Sequence, residues 1–132
     1  MAAGGVALLA NHSLFSPSPW AIGGQVAAAS LMLWARRTFG RRSFHATADP
    51  TEGGLVTTGP YRFIRHPIYT AACLFVFSGA AAHFSAVSAA LFLLVLAGAL
   101  LRMAGEERLV VLRYPEYREY AARTWRMVPY LF

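Results

Sequence analysis

The chain has 132 residues and a mass of 14.4 kDa, room for one domain. It is 57% hydrophobic and 14% charged, against roughly 25% charged in an ordinary soluble domain. The charges are segregated: residues 1–35 and 66–101 carry none, while 36–65 carry eight and 102–132 carry ten. A soluble fold this small needs charge on every exposed helix face, so the composition argues against one and predicts an all-α polytopic membrane helix bundle.

Taken in chain order, residues 1–15 are apolar and rich in small residues, but Asn11, His12 and Ser13 interrupt them. The segment lacks the basic stretch that opens a secretory leader, and a short partial or re-entrant helix is expected there. The first clear span is 17–35, with Pro19 suited to the first helical turn and Arg36 and Arg37 closing it. Residues 36–65 form a polar loop punctuated by Gly40, Asp49-Pro50, Gly53-Gly54 and Gly59-Pro60. The uncharged run 66–101 is too long for one span of about 20 residues. It breaks near Ala82-His83-Phe84-Ser85, where Ser85 is a candidate N-cap, giving a helical hairpin of 67–82 and 85–103. Residues 104–126 follow as cytosolic or interfacial helices. Tyr114-Pro115 breaks them, because the residue before proline avoids helical geometry, and a second helix is expected from Pro115 to about Thr124.

The net charge of +6 is carried by 12 arginines, six in 36–65 and six in 102–126. Two spans lie between these windows, so both windows face one side, and the positive-inside rule makes that side the cytoplasm. Basic segments beside apolar runs read as topology and as attraction to anionic lipid, so the expected partner is the bilayer and no nucleic acid. Cys73 is the single cysteine, and four scattered histidines make no metal site.

Two places carry chemistry. Pro67 suits the first turn of its helix and puts His66 near the N-cap, where unpaired N–H groups favour a carboxylate or phosphate. Arg62 and Arg65 either strengthen that site or simply reach up to lipid phosphate. Arg102 and Glu106, four apart, share a helix face; they are either an internal salt bridge or ionisable groups lining a substrate cavity at a span end. Tyr114, Tyr117, Tyr120 and Trp125 suit an interfacial aromatic belt. The fingerprints of nucleotide-binding loops, zinc proteases and serine hydrolases do not occur in the sequence.

The stretch Leu55-Val56-Thr57-Thr58-Gly59-Pro60-Tyr61-Arg62-Phe63-Ile64-Arg65-His66-Pro67-Ile68-Tyr69 resembles the signature of the isoprenylcysteine carboxyl methyltransferase family and its phospholipid methyltransferase relatives. A second block fits as well: Arg102-x-x-x-Glu106-Glu107, Tyr114-Pro115-Glu116-Tyr117-x-x-Tyr120 and Arg126-x-x-Pro129. The family often has Phe-Gly where this chain has Tyr114-Pro115. Together with the hairpin between them, the blocks cover about 53–129, and the RHPxY element is shared with membrane sterol reductases.

The resemblance implies an integral-membrane methyltransferase that uses S-adenosylmethionine without a Rossmann domain. It places the cofactor among Leu55, Val56, Tyr61, His66, Pro67, Ile68 and Tyr69, with Glu106 closing the site and Arg102 facing the methyl acceptor. Arg102 and Glu106 are thus the expected catalytic residues, and no metal is implied. The acceptor is lipidic or small. A prenylcysteine-like carboxylate is the leading expectation, with phospholipid N-methyl or thiol S-methyl transfer, or an NADPH-dependent membrane reductase, as alternatives. Family members often carry further spans before the first one here, so the acceptor tunnel is reduced or shared with another copy.

Overall fold

In a computed structural model of the chain, Val6, residues 17–40 and residues 54–132 are described; the expected N-terminal helix within 1–15 and the central part of the polar loop lie outside them. The described residues are helical, with no strand, only an isolated bridge. Four α-helices follow in order: α1 (Pro19–Phe39), α2 (Pro67–Ala82), α3 (Ala86–Arg113) and α4 (Tyr117–Ala122), with a 3-10 turn at Gly59–Arg62 before α2.

Each helix end has a local cause. Pro19 and Pro67 stand at first-turn positions, where their missing N–H costs nothing. Arg36 and Arg37 occupy the last turn of α1, where cations suit the dipole, and Gly40 leaves it at φ 70 while donating its N–H to Arg36 O. Ser85 caps α3 reciprocally: its Oγ accepts from Ser88 N at 3.1 Å and its N–H donates to Ser88 Oγ at 2.9 Å. Ser88 Oγ also donates to His83 O at 2.8 Å, which ties the hairpin turn to the buried first turn of α3.

The packing is built on small residues. Helix α2 is central, with α1 and α3 each laid against it. The buried residues of α1 are Ala21, Gln25, Ala28 and Ala35, and those of α2 include Ala71, Ser78 and Gly79, with Ala80 turned to Leu91 and Phe92 of α3. Backbones can then approach closely, the device used where lipid removes the hydrophobic drive between helices. At Gly24 a Cβ would stand 2.3 Å from Ser78 Oγ. Large apolar side chains point outward instead, including Trp20, Val26 and Leu33 on α1, Phe77 on α2 and Leu93, Leu94 and Leu101 on α3.

Among the described residues one helix, α3, is long and apolar enough to cross a membrane by length and composition. Its 28 residues span roughly 42 Å, so the expected 85–103 span and the first part of the 104–126 segment are one continuous rod. Helix α2 is apolar but has 16 residues, and α1, although 21 residues long, is diluted by Pro19, Gly23, Gly24, Gln25 and Ser30. The expected three-span bundle thus has one member that meets the criterion and two that do not.

The second C-terminal helix is shorter than the expected Pro115–Thr124. Tyr114 is extended, the N–H groups of Tyr117, Arg118 and Glu119 make turn-type bonds to carbonyls three residues back, and helix proper is confined to Tyr117–Ala122. The segment beyond it pairs with the backbone before α2. Trp125 N donates to Phe63 O at 3.0 Å, Arg65 N to Trp125 O at 2.7 Å and His66 N to Arg126 O at 3.0 Å. Thr70 Oγ1 adds a bond to Met127 O at 2.9 Å. Met127 then closes a buried cluster with Cys73, Ala99 and Met103, against which Tyr69 and Leu96 pack.

Gly59 links α1 to this assembly. Its φ is +57, and a Cβ there would meet Thr38 Oγ1 at 2.5 Å and Trp34 Nε1 at 3.2 Å. Gly59→Ala is therefore expected to destabilise the fold by about 1–2 kcal/mol from backbone strain alone. The clash adds to that loss, and Thr38→Ala in the same chain should recover the added part. Thermal unfolding of the detergent-solubilised single and double variants measures both.

Candidate functional site

The turn before α2 is held from two sides. Tyr61 N donates to Thr58 O and Phe63 N to Pro60 O, both at 3.1 Å, which curls Gly59–Arg62. The Tyr61 ring packs on Phe39 of α1 with centroids 5.5 Å apart. Its carbonyl accepts a 2.6 Å bond from the buried Tyr120 hydroxyl of α4. The turn delivers the chain to His66, the N-cap of α2, and the first intrahelical donor there is Thr70 N, 2.9 Å from His66 O. Pro67 has no N–H, so Ile68 and Tyr69 carry the first-turn donors that no helical carbonyl can reach.

On the facing surface of α3, two consecutive carboxylates point different ways. Glu106 Oε1 accepts from the Tyr69 hydroxyl at 2.5 Å and from Arg102 Nε at 3.1 Å. These side chains keep partial access, about 39% exposed for Arg102 and 23% for Glu106. Tyr69 also lies against the His66 ring, centroids 5.8 Å apart. His66, Tyr69, Arg102 and Glu106 thus meet at one end of the α2–α3 pair, with Arg102 and Glu106 partly open to the outside.

Glu107 looks inward. Its Oε1 receives Arg65 Nε at 2.9 Å, His66 Nε2 at 3.1 Å and the Tyr117 hydroxyl at 3.2 Å, and its Oε2 receives Arg126 Nη2 at 3.2 Å. Glu107 lies one turn beyond the apolar stretch of α3. Burial works to raise its pKa, but the hydrogen bonds from His66 and Arg65 outweigh it and hold the carboxyl down at about 2. Burial, followed by the charge of Glu107, pushes the Tyr117 phenol above its usual range, so it stays a donor. Arg65 Nη1 reaches across to the carbonyls of Ala121 and Thr124 at the end of α4. One carboxylate and one guanidinium thereby join α3, the turn, α4 and the C-terminal segment.

The structure sorts the expected site residues. Arg102, Glu106, Tyr69 and His66 are brought together, and Pro67 is buried beneath them. Leu55, Val56 and Ile68 are half-buried near the turn and the first turn of α2. Tyr61 has its closest ring contact with Phe39 rather than with that cluster.

Two readings are corrected. Arg65 is no free anion ligand: its side chain is about 10% exposed and is committed to Glu107 and two carbonyls. Arg62 lies over the Phe63 ring, 5.1 Å from its centroid. Tyr117 and Tyr120 belong to no aromatic belt, for both are buried with their hydroxyls bonded inside the protein. Sequence reasoning passed over Glu107 as a hub; its place beside Glu106 turns it about 100° around the helix, and that offset was the available clue. Among the described residues no three His, Cys, Asp or Glu gather as a metal site.

The family comparison meets this geometry directly. The model of the isoprenylcysteine carboxyl methyltransferase (ICMT) family matches residues 20–112. The chain belongs to that family. The match takes in nearly all of α1, the turn, α2 and nearly all of α3, and so includes His66, Tyr69, Arg102, Glu106 and Glu107. It ends before α4 and the C-terminal segment. Membership makes the chain a membrane-associated methyltransferase of the isoprenylcysteine type. No curated protein and no solved structure matches the chain.

Removing the inward carboxylate has a defined cost. Glu107→Ala leaves Arg65 and Arg126 without their shared counter-charge, and a loss of about 3 kcal/mol is expected for breaking a largely buried pair. With the native carboxyl held at about 2, its contribution is complete above the ordinary carboxylate pKa near 4.5. It drains away as pH falls from there toward 2. Unfolding midpoints of wild type and variant should therefore converge across that acidic window, read by thermal unfolding in detergent.

Proposed function

We propose that this chain transfers a methyl group from S-adenosylmethionine to a lipidic or small acceptor, most simply a prenylcysteine-like carboxylate, at the cytoplasmic face of a membrane. The observation that carries the reading is the convergence of Tyr69, Glu106 and Arg102 beside the first turn of α2. The residues present fit the cofactor's chemistry. Glu106 is a carboxylate for its amine or ribose hydroxyls, and the first-turn N–H groups of Ile68 and Tyr69 suit its carboxylate. The Tyr69 ring suits a sulfonium cation, and Leu55, Val56, Tyr61 and Pro67 supply the apolar surround. Bound there, S-adenosylmethionine would supply an electrophilic methyl group.

The protein's own part is alignment and exclusion of water. A carboxylate acceptor is ionised at neutral pH and needs no base, and Arg102 would orient it. An amine or thiol acceptor must lose a proton, which makes Glu106 the candidate base, since Nε2 of His66 is turned to Glu107. Residues 19–39, 67–82 and 86–103 would each cross the bilayer, the two shorter or less apolar helices doing so beside α3 with tilt or local thinning. A lipidic acceptor would then enter sideways between helices while the cofactor enters from the arginine-rich side.

Calorimetry on detergent-solubilised protein tests the cofactor. S-adenosylmethionine or its demethylated product should bind to wild type and bind at least about tenfold more weakly to folded Tyr69→Ala and Glu106→Ala, the loss of one charge-assisted contact. An absence of binding by wild type, with NADPH binding instead, would sink the proposal. Arg102→Ala should lower the turnover of a carboxylate acceptor by about a hundredfold while weakening the cofactor far less. Sidedness is read separately: Arg118→Cys should react with an impermeant maleimide in inverted membrane vesicles and not in right-side-out ones.

A further inference from the structure

Beside the C-terminal segment lies a cavity of about 430 Å³ that shares none of the residues assigned to the cofactor. Its wall includes Arg65, Arg123, Thr124, Trp125, Arg126 and Phe132. Three guanidinium groups thus line it, and the carboxylate bonded to two of them is Glu107 alone. Arg65 is spent on Glu107 and on the carbonyls at the end of α4, so it cancels the negative end of that short helix rather than offering a ligand contact. Arg126 gives Nη2 to Glu107 and stands over the Phe132 ring, 5.4 Å from its centroid, yet stays about 45% exposed. Arg123 is exposed and uses Nε on Glu119 O, which leaves the terminal nitrogens of its guanidinium toward solvent. The cavity therefore keeps a net positive charge, and the Thr124 hydroxyl at its wall is spent on Tyr120 O at 2.7 Å.

Its surroundings are apolar and uncovered. Trp125, Val128, Tyr130, Leu131 and Phe132 are all exposed, with the Trp125 and Tyr130 rings 5.8 Å apart. An anion pocket edged by exposed aromatic and aliphatic side chains matches an amphiphile better than a soluble ion, because its two parts sit where a head group and the start of acyl chains would.

We infer that this cavity binds the phosphate of an anionic phospholipid head group, with Arg123 and Arg126 as the phosphate ligands and the Trp125–Phe132 segment resting in the bilayer interface. Such a lipid would hold the C-terminal segment, and through its backbone pairing the 63–66 strand-like stretch, against the membrane. The inference does not depend on methyl transfer.

The test follows thermal unfolding of the full chain in detergent with added dioleoylphosphatidylglycerol, dioleoylphosphatidylcholine or inorganic phosphate. Phosphatidylglycerol should raise the midpoint while the other two do not. Arg123→Gln should unfold like wild type without lipid and need about fivefold more phosphatidylglycerol for the same protection, the loss of one exposed charge pair. Arg118→Gln, which removes an equal charge from α4 outside the cavity, should stay near wild type, and saturating S-adenosylmethionine should leave the lipid effect in place. Equal protection by phosphatidylcholine, or an equal loss in Arg118→Gln, would overturn the site. Protection by inorganic phosphate alone would overturn the lipid assignment, and abolition of the lipid effect by S-adenosylmethionine would show that the cavity belongs to the cofactor.

Discussion

A single inward carboxylate, Glu107, organises the end of this protein where α2 begins and the C-terminal segment lies. It gathers Arg65, His66, Tyr117 and Arg126 from three separate stretches of chain, and Arg65 extends the connection to the end of α4. A buried ion pair adds little net stability when compared with an apolar substitute, because desolvation offsets attraction. What it contributes is position: the bonds to Glu107 hold His66 at the head of α2 and the C-terminal segment beside it.

The neighbouring carboxylate depends on this. Glu106 keeps solvent access and faces Tyr69 and Arg102, while Glu107 is about 14% exposed and saturated with donors. Successive residues on a helix diverge by about 100°, so one short acidic pair supplies both a solvent-accessible carboxylate and an enclosed one. Close small-residue contacts, Gly24 on Ser78 between α1 and α2 and Gly59 under Thr38 between the turn and α1, fix the turn against the helices.

Much of this was legible beforehand. The ends of α2 and the start of α3 followed from Pro67, His83 and Ser85, because proline placement and serine capping are local effects. Arg102 and Glu106 followed from a four-residue spacing, and Tyr69 and His66 from the family signature. The continuity of α3 through Arg113 also followed locally, because Glu107 and Arg108 carry the helix on from Arg102 and only Tyr114-Pro115 breaks it. Tyr117 and Tyr120 misled: a tyrosine near a membrane surface has the same sequence appearance whether its hydroxyl meets water or a buried carbonyl.

The sequence by itself determined the segregation of charge, the helical class, the helix starts and the family, since each rests on composition or on residues near one another in the chain. The tertiary structure decided which arginines are structural and which face outward. It also decided which of two adjacent glutamates is enclosed, and that residues 125–126 pair with 63–66. Those outcomes depend on contacts between residues some 40 to 60 positions apart, and no local spacing encodes the burial that gives such contacts their strength.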